Sequence, residues 1–281
     1  TQSKSSAASD VYKRQHHDAF NLGVTFVENE GPVFKNPVST PLDVDNLVAF
    51  NPEELSYVYE AVTNIKNSLP ENIPLIGFCG SPWTLAAYSI EGRSSKDFKK
   101  TIRFVEDNQE STHLLLTKFT DACYLYLRKQ VKAGADVIQI FDSWANLLDA
   151  KNLRNFSLNY TKSLISALKQ DPLTANTPII LFSREPKCDE QTLINTSADC
   201  ISLYWDMVDF DINIARDKVA IQGNLDPKVL LESKDLIKEE AYKILNKYEG
   251  YPGYIFNLGH GITPNINPDN VKFLTDVVRE Y

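Results

Sequence analysis

Methionine is almost missing from this chain: 281 residues hold one, Met207, and the first residue is Thr1. Cysteine is also scarce. Cys79, Cys123, Cys188 and Cys200 form no CxxC pair and have no His-rich spacing around them, which argues against a disulfide framework and a zinc ribbon. Buried free thiols in a reducing compartment are the expectation. No apolar run approaches the ~20 residues of a membrane span. Basic residues are outnumbered, 29 Lys and Arg against 37 Asp and Glu, for a net charge of −8. That balance argues against a nucleic-acid surface, which needs clustered positive charge. No Gly-rich phosphate loop follows any strand candidate, so an open dinucleotide-binding sheet lacks support.

What is present is a chain long and apolar enough (43% hydrophobic) for one large domain. Residues 1–15, TQSKSSAASDVYKRQ, are polar and without apolar period. They read as an artefactual, adaptor-like leader, with a natural disordered tail as the competing reading and a processed targeting peptide less favoured. Residues 16–281 read as a single domain.

Within it, strand and helix signals alternate, the pattern of a parallel α/β fold. The strand candidates are Ile73–Phe78, Val137–Asp142, Pro178–Ser183, Cys200–Trp205, Val219–Gln222 and Tyr254–Leu258. Helical faces run through Leu55, Val58, Val62, Ile65 and Leu69, through Leu114, Leu115, Phe119, Ala122, Tyr126 and Leu127, and through Leu153, Phe156, Tyr160, Leu164 and Leu168. A last helix opens with Asn267 as N-cap and Pro268 at N1.

Several of these strands run into polar and aromatic groups: Gly-Ser-Pro-Trp after Phe78, FDSW at Phe141–Trp144, QGNLDP at Gln222–Pro227 and FNLGHGI at Phe256–Ile262. Four separated motifs in this order resemble the uroporphyrinogen decarboxylase family, from about Asp18 to the C-terminus. The resemblance implies a (β/α)8 TIM barrel. The six strands match the third to the eighth, and Leu22–Phe34 matches a hairpin after the second, so the barrel is expected to be incomplete. It departs from the family pattern at Asn146, where glycine is common, and at Ser202 and Tyr204, where a glycine and an aspartate are usual.

Side chains just past the C-terminal strand ends converge on the mouth of such a barrel. They are Ser81, Trp83, Tyr88, Asp142, Ser143, Arg184, Asn224, Asp226 and His260. By resemblance Tyr88, Ser143 and His260 bind carboxylate side chains of the tetrapyrrole, and a phenol, a hydroxyl and an imidazole can all donate to carboxylate oxygens. Taken singly, Tyr88 is more often a core-capping tyrosine and Ser143 more often a loop serine, whereas a lone histidine such as His260 is structural about as often as functional. Gly259 and Gly261 let the backbone around His260 approach a ligand closely. Arg184 is a candidate counter-charge for an acetate or propionate, or an ion-pair partner of Glu185. Asn224 and Asp226 are expected to organise their loop. Cys79 has no base beside it, and His17 and His113 are not read as catalytic.

The implied reaction removes four acetate carboxyl groups from uroporphyrinogen III, giving coproporphyrinogen III, with no metal, pyridoxal or other cofactor. Protonation of a pyrrole carbon creates the electron sink. The family's Phe-Ser-Asp aspartate and an arginine-rich segment would both lie before Asp18, and Asp18 and Asp10 do not replace that acid. The expectation is therefore a fragment with little or no turnover. Rival readings are a tetrapyrrole-binding pseudoenzyme and a zinc-dependent, corrinoid-linked methyltransferase, although no His-x-Cys sequence supports the latter. The implied partners are the tetrapyrrole and, at full length, a second copy of the chain, with neither nucleic acid nor membrane. The implied location is the cytoplasm, or a plastid if a transit peptide was lost.

Overall fold

The computed structural model describes residues 20, 22–27, 31–95 and 97–281, so the leader, His17 and Asp18 lie outside the described residues. The first elements are an antiparallel ribbon of β1 (Val24–Val27) and β2 (Gly31–Phe34), with Val24 opposite Phe34. This is the hairpin expected over Leu22–Phe34.

Six strands then form one all-parallel sheet in sequence order: β3 (Ile76–Gly80), β4 (Val137–Asp142), β5 (Ile179–Ser183), β6 (Cys200–Ser202), β7 (Ala220–Gln222) and β8 (Tyr254–Ile255). Sequential parallel order with helical crossovers is the winding of a (β/α)8-type barrel. β4 has the bounds its sequence suggests. β3 instead starts three residues late and runs through Cys79 and Gly80, leaving Ile73 exposed. β6 and β8 are shorter than their apolar runs, because their last residues bend into the loops over the mouth; Leu258 keeps only an isolated bridge to Leu225.

Period-2 alternation divides the sheet into two faces. Ile138, Ile140, Ile179, Leu181, Ile201 and Ile221 lie on the face covered by helices and are essentially fully buried. The opposite face carries Phe78, Phe141 and Phe182, whose rings follow one another at 5.9 and 6.0 Å across β3, β4 and β5.

Among the helices, α1 (Pro41–Asp45) has a capping box made by Thr40 and Asp43. α2 (Ser56–Ser68) packs less deeply than its period suggests: Leu55 and Tyr59 are buried, but Ile65 is half exposed. α3 (Pro82–Glu91) starts at Ser81, whose side chain accepts from Thr84 N, and stops at Gly92 in the left-handed conformation, φ 79°. Every residue of α3 is buried. α4 (Lys99–Asp107) leads into α5 (Gln109–Lys132), which buries Leu115, Phe119, Ala122, Tyr126 and Leu127 but turns Leu114 outward. After β4, Ala150–Asn152 passes through a π-helical stretch, Leu153–Leu158, into α6 (Asn159–Gln170). Short helices α7 (Glu190–Ile194) and α8 (Ile212–Ala215) follow, then α9 (Lys234–Lys247) and α10 (Pro268–Glu280), the last capped by Asn267 as expected. Among the described residues no helix is long and apolar enough to cross a membrane.

Candidate active site

Alternation decides which loop residues reach the mouth. Ser143 follows the parity of Phe141, and Arg184 that of Phe182, so both emerge on the face opposite the helices. Tyr204 sits beyond Ser202 on the same side. His260 comes from the β8 loop, with its ring centroid 6.2 Å from Phe182 and 5.9 Å from Tyr204. The structure therefore brings Arg184 and His260 to one aromatic surface, with Ser143 beside Trp144 at its rim. His260 is exposed, and Ser143 and Arg184 are half-buried.

Arg184 is the most constrained of them. Its guanidinium carbon lies 5.7 Å from the Trp144 ring and 5.9 Å from the Tyr204 ring, so two aromatic faces hold the cation. Its Nε is 3.5 Å from Glu185 Oε1, an ion-pair distance, yet this buried N–H makes no hydrogen bond; the Trp144 Nε1–H is likewise buried without an acceptor. Donors left in this state cost stability unless something else takes the hydrogen bond. The Glu185 alternative is thus realised as an ion pair, which leaves the Arg184 Nε–H without a hydrogen bond. Burial, then a hydrogen bond to Glu185, pushes the Tyr204 phenol upward. Burial and the charge of Glu185 raise the Asp206 carboxyl.

Tyr88 stands further back. It is 2% exposed, and its ring lies edge-on to Phe98 at 5.9 Å and to Trp144 at 5.8 Å, while Phe98 and Trp144 are 4.3 Å apart. Its ring contact with Trp144 links it to the mouth. Ser81, Trp83 and Asp142 do not line the mouth as the strand-end positions suggest. All three are completely buried, because Ser81 and Trp83 open a helix enclosed on every side and Asp142 has the parity of Ile138 and Ile140.

Asn224 donates to the carbonyls of Tyr204 (3.1 Å) and Met207 (3.4 Å), and Asp226 accepts from Lys228 N at 2.9 Å, so both organise loops as expected. A side chain at Gly259 would bring its Cβ within 2.5 Å of Trp205 Cα. The close approach that requires glycine there is to the β6 loop. Cys79 faces the helices, beside Cys123, whose thiol donates to Gly80 O at 3.5 Å. His113 Nδ1 is 2.7 Å from Tyr160 Oη, on the α5–α6 surface. Trp144 and Tyr204, which clamp Arg184, carry no strong sequence signal: Trp144 is one word of FDSW and Tyr204 appears only as a departure.

Among the described residues no three His, Cys, Asp or Glu side chains gather as a metal-ligand set. What the mouth offers is a cation held between rings, a hydroxyl and an imidazole over an aromatic floor, a donor set suited to a carboxylate on a large flat molecule.

Comparison with known proteins places the chain among its relatives. A family model described as "Uroporphyrinogen decarboxylase (URO-D)" matches residues 15–281. A protein named uroporphyrinogen decarboxylase from Ruthia magnifica subsp. Calyptogena magnifica is 42% identical over 269 residues, covering 94% of this chain and 77% of that protein. One of the same name from Pseudomonas putida (strain ATCC 700007 / DSM 6899 / JCM 31910 / BCRC 17059 / LMG 24140 / F1) is 41% identical over 268 residues, covering 94% and 75%. Among solved structures, a methyltransferase from Methanosarcina mazei aligns with a TM-score of 0.73 at 20% identity, over 95% of this chain and 77% of that one. At that identity the likeness shows the fold alone.

Proposed function

The chain belongs to the uroporphyrinogen decarboxylase family, a family of carboxy-lyases, and from that premise we propose that its mouth binds uroporphyrinogen III by the acetate and propionate carboxylates. One observation carries the reading. Arg184 is held between Trp144 and Tyr204 with an unpaired Nε–H, beside a second unpaired donor on Trp144. A carboxylate arriving there accepts from donors that have no hydrogen bond and competes with Glu185 for the guanidinium. Ser143 and His260 supply further donors across the same surface. Tyr88, buried behind Trp144, is not counted among them.

In the reaction proposed, a pyrrole carbon is protonated, the cationic ring accepts the electron pair of the breaking C–C bond, and CO2 departs. The exocyclic methylene left behind takes a proton to become a methyl group, and the pyrrole carbon gives up the proton it first received, so that each acetate consumes one proton net. Repeated on four acetates, this gives coproporphyrinogen III. The residues at the mouth orient the substrate, and the aromatic floor excludes water from the developing cation.

The test is calorimetric binding of uroporphyrinogen III, kept reduced and anaerobic, together with product analysis beside the Ruthia magnifica relative. Arg184→Ala should weaken binding about tenfold or more, the scale of a charge-assisted hydrogen bond. Unchanged affinity in that variant would overturn the carboxylate reading. Binding with no decarboxylated product, under conditions where the relative forms it, would overturn the decarboxylase reading.

A further inference from the structure

Asp142 is fully buried, and four hydroxyl groups converge on it. Ser81 (2.9 Å) and Thr84 (3.4 Å) donate to Oδ1, and Ser157 (2.5 Å) and Ser183 (3.5 Å) donate to Oδ2. These donors come from the start of α3, the π-helical stretch before α6 and the end of β5. A carboxyl group in the helix-covered layer is costly, and the equivalent positions on β4 are isoleucines. Packing alone does not call for it.

The hydrogen bonds have a direction. Ser143 N–H donates to Thr84 Oγ1 at 2.9 Å, so the Thr84 hydroxyl hydrogen is free to turn to Asp142. The neighbouring Trp83 Nε1–H donates to Trp144 O at 2.9 Å. Two consecutive residues of α3 thus grip two consecutive residues of the mouth loop. On the other side, Arg184 N–H donates to the Asp142 carbonyl at 3.0 Å. The inserted residue of a π-helical turn often re-aims a side chain near a functional site, and here Ser157 in that stretch completes the set.

We infer that Thr84 and Asp142 form a positioning relay, in which the buried carboxyl orients the Thr84 hydroxyl and that hydroxyl fixes the Ser143 backbone, aiming the Ser143 side chain into the mouth. The ligand consequence rests on the reading of Ser143 as a carboxylate donor. The relay itself concerns only the protein. Neither residue touches the substrate. Their role is to hold the loop within the fraction of an ångström that a binding site requires.

Thr84→Val keeps the shape and removes the hydroxyl, whereas Thr84→Ser keeps the hydroxyl. Amide hydrogen exchange, resolved at Ser143 by NMR, reads the relay without any ligand. Thr84→Val should accelerate exchange at Ser143 about tenfold or more while amides inside β4 and β5 keep their rates, and Thr84→Ser should restore it. Asp142→Asn should move the same amide in the same direction. Unchanged Ser143 exchange, or equal acceleration throughout β4 and β5, would overturn the relay. In binding of uroporphyrinogen III, Thr84→Val should cost about five- to tenfold in affinity, and little further in a Ser143→Ala background, because residues acting through one another are non-additive. Independent, additive losses would also count against the relay. If Ser143→Ala leaves affinity untouched, or the chain does not bind, the reading of Ser143 falls while the exchange result still decides the relay.

Discussion

Single residues at this mouth are defined by what surrounds them, and Asp142 gives the sharpest case. Desolvation raises its carboxyl above the ordinary aspartate value, opposed by the hydroxyls of Ser157, Ser81, Thr84 and Ser183. A folded-state value above the unfolded one means that the folded protein binds this proton more tightly. The associated stabilisation is complete below the unfolded value of 3.8 and is lost as pH rises through the folded value. That contribution shrinks as pH rises above 3.8, and Asp142→Asn, which has no proton to lose, removes the dependence. Thermal unfolding should show the wild type gaining on Asp142→Asn as pH falls from 7 toward 4, with the difference smallest or reversed at neutral pH. A constant difference across that range would mean that ionisation of Asp142 does not enter the stability. In the sequence this group reads as a strand-end residue of FDSW facing the mouth, not as a buried hub. Its partners are 61, 58, 15 and 41 residues away, and no local pattern connects them.

Elements were more legible than their ends. β5 is a short run of apolar residues buried at every position, and its bounds follow from composition; α10 announces itself with Asn267 and Pro268. β6 and β8 end early because tertiary contacts pull Tyr204, Trp205 and Leu258 into loops, which a propensity reading cannot see. The period of α2 also misleads, since Ile65 lies on the expected face and is exposed. What fixes α2 is partly polar. Lys66 Nζ reaches both oxygens of Asp136 (2.8 and 2.7 Å), and Asp136 Oδ2 accepts from Leu75 N at 2.7 Å, joining α2 to the entries of β3 and β4. The Leu75 N–H, then Lys66, lowers the Asp136 carboxyl below 3.8. Its stabilisation is present above the unfolded value and is lost as pH falls through the folded one. Asp136→Asn should lower the melting temperature at pH 7, with the gap to wild type closing below about pH 3.8. A gap that persists in acid would assign the effect to geometry rather than charge.

At the scale of the whole molecule, the barrel class was readable because six strand–helix repeats carry it, whereas the closure of the sheet depends on contacts no single repeat contains. Among the described residues the parallel sheet ends at β3 on one side and β8 on the other. The face opposite the helices pays for that: Ile76 is 42% and Ile255 45% exposed, while the helix-covered isoleucines of the inner strands are dry. Ile73, just before β3, adds a third apolar side chain at 44%. Uncovered strand edges with apolar side chains template association with further chains, and lysine at the edge is the usual safeguard against it. The net charge of −8 opposes association only weakly at physiological ionic strength, where repulsion is screened beyond about 8 Å. The chain should therefore associate with rising concentration in sedimentation velocity. Ile76→Lys combined with Ile255→Lys should shift it toward the monomer, with the far-ultraviolet circular dichroism unchanged. Association that survives both substitutions would place the contact on another surface, with the exposed Leu42 and Val48 beside α1 the next to charge.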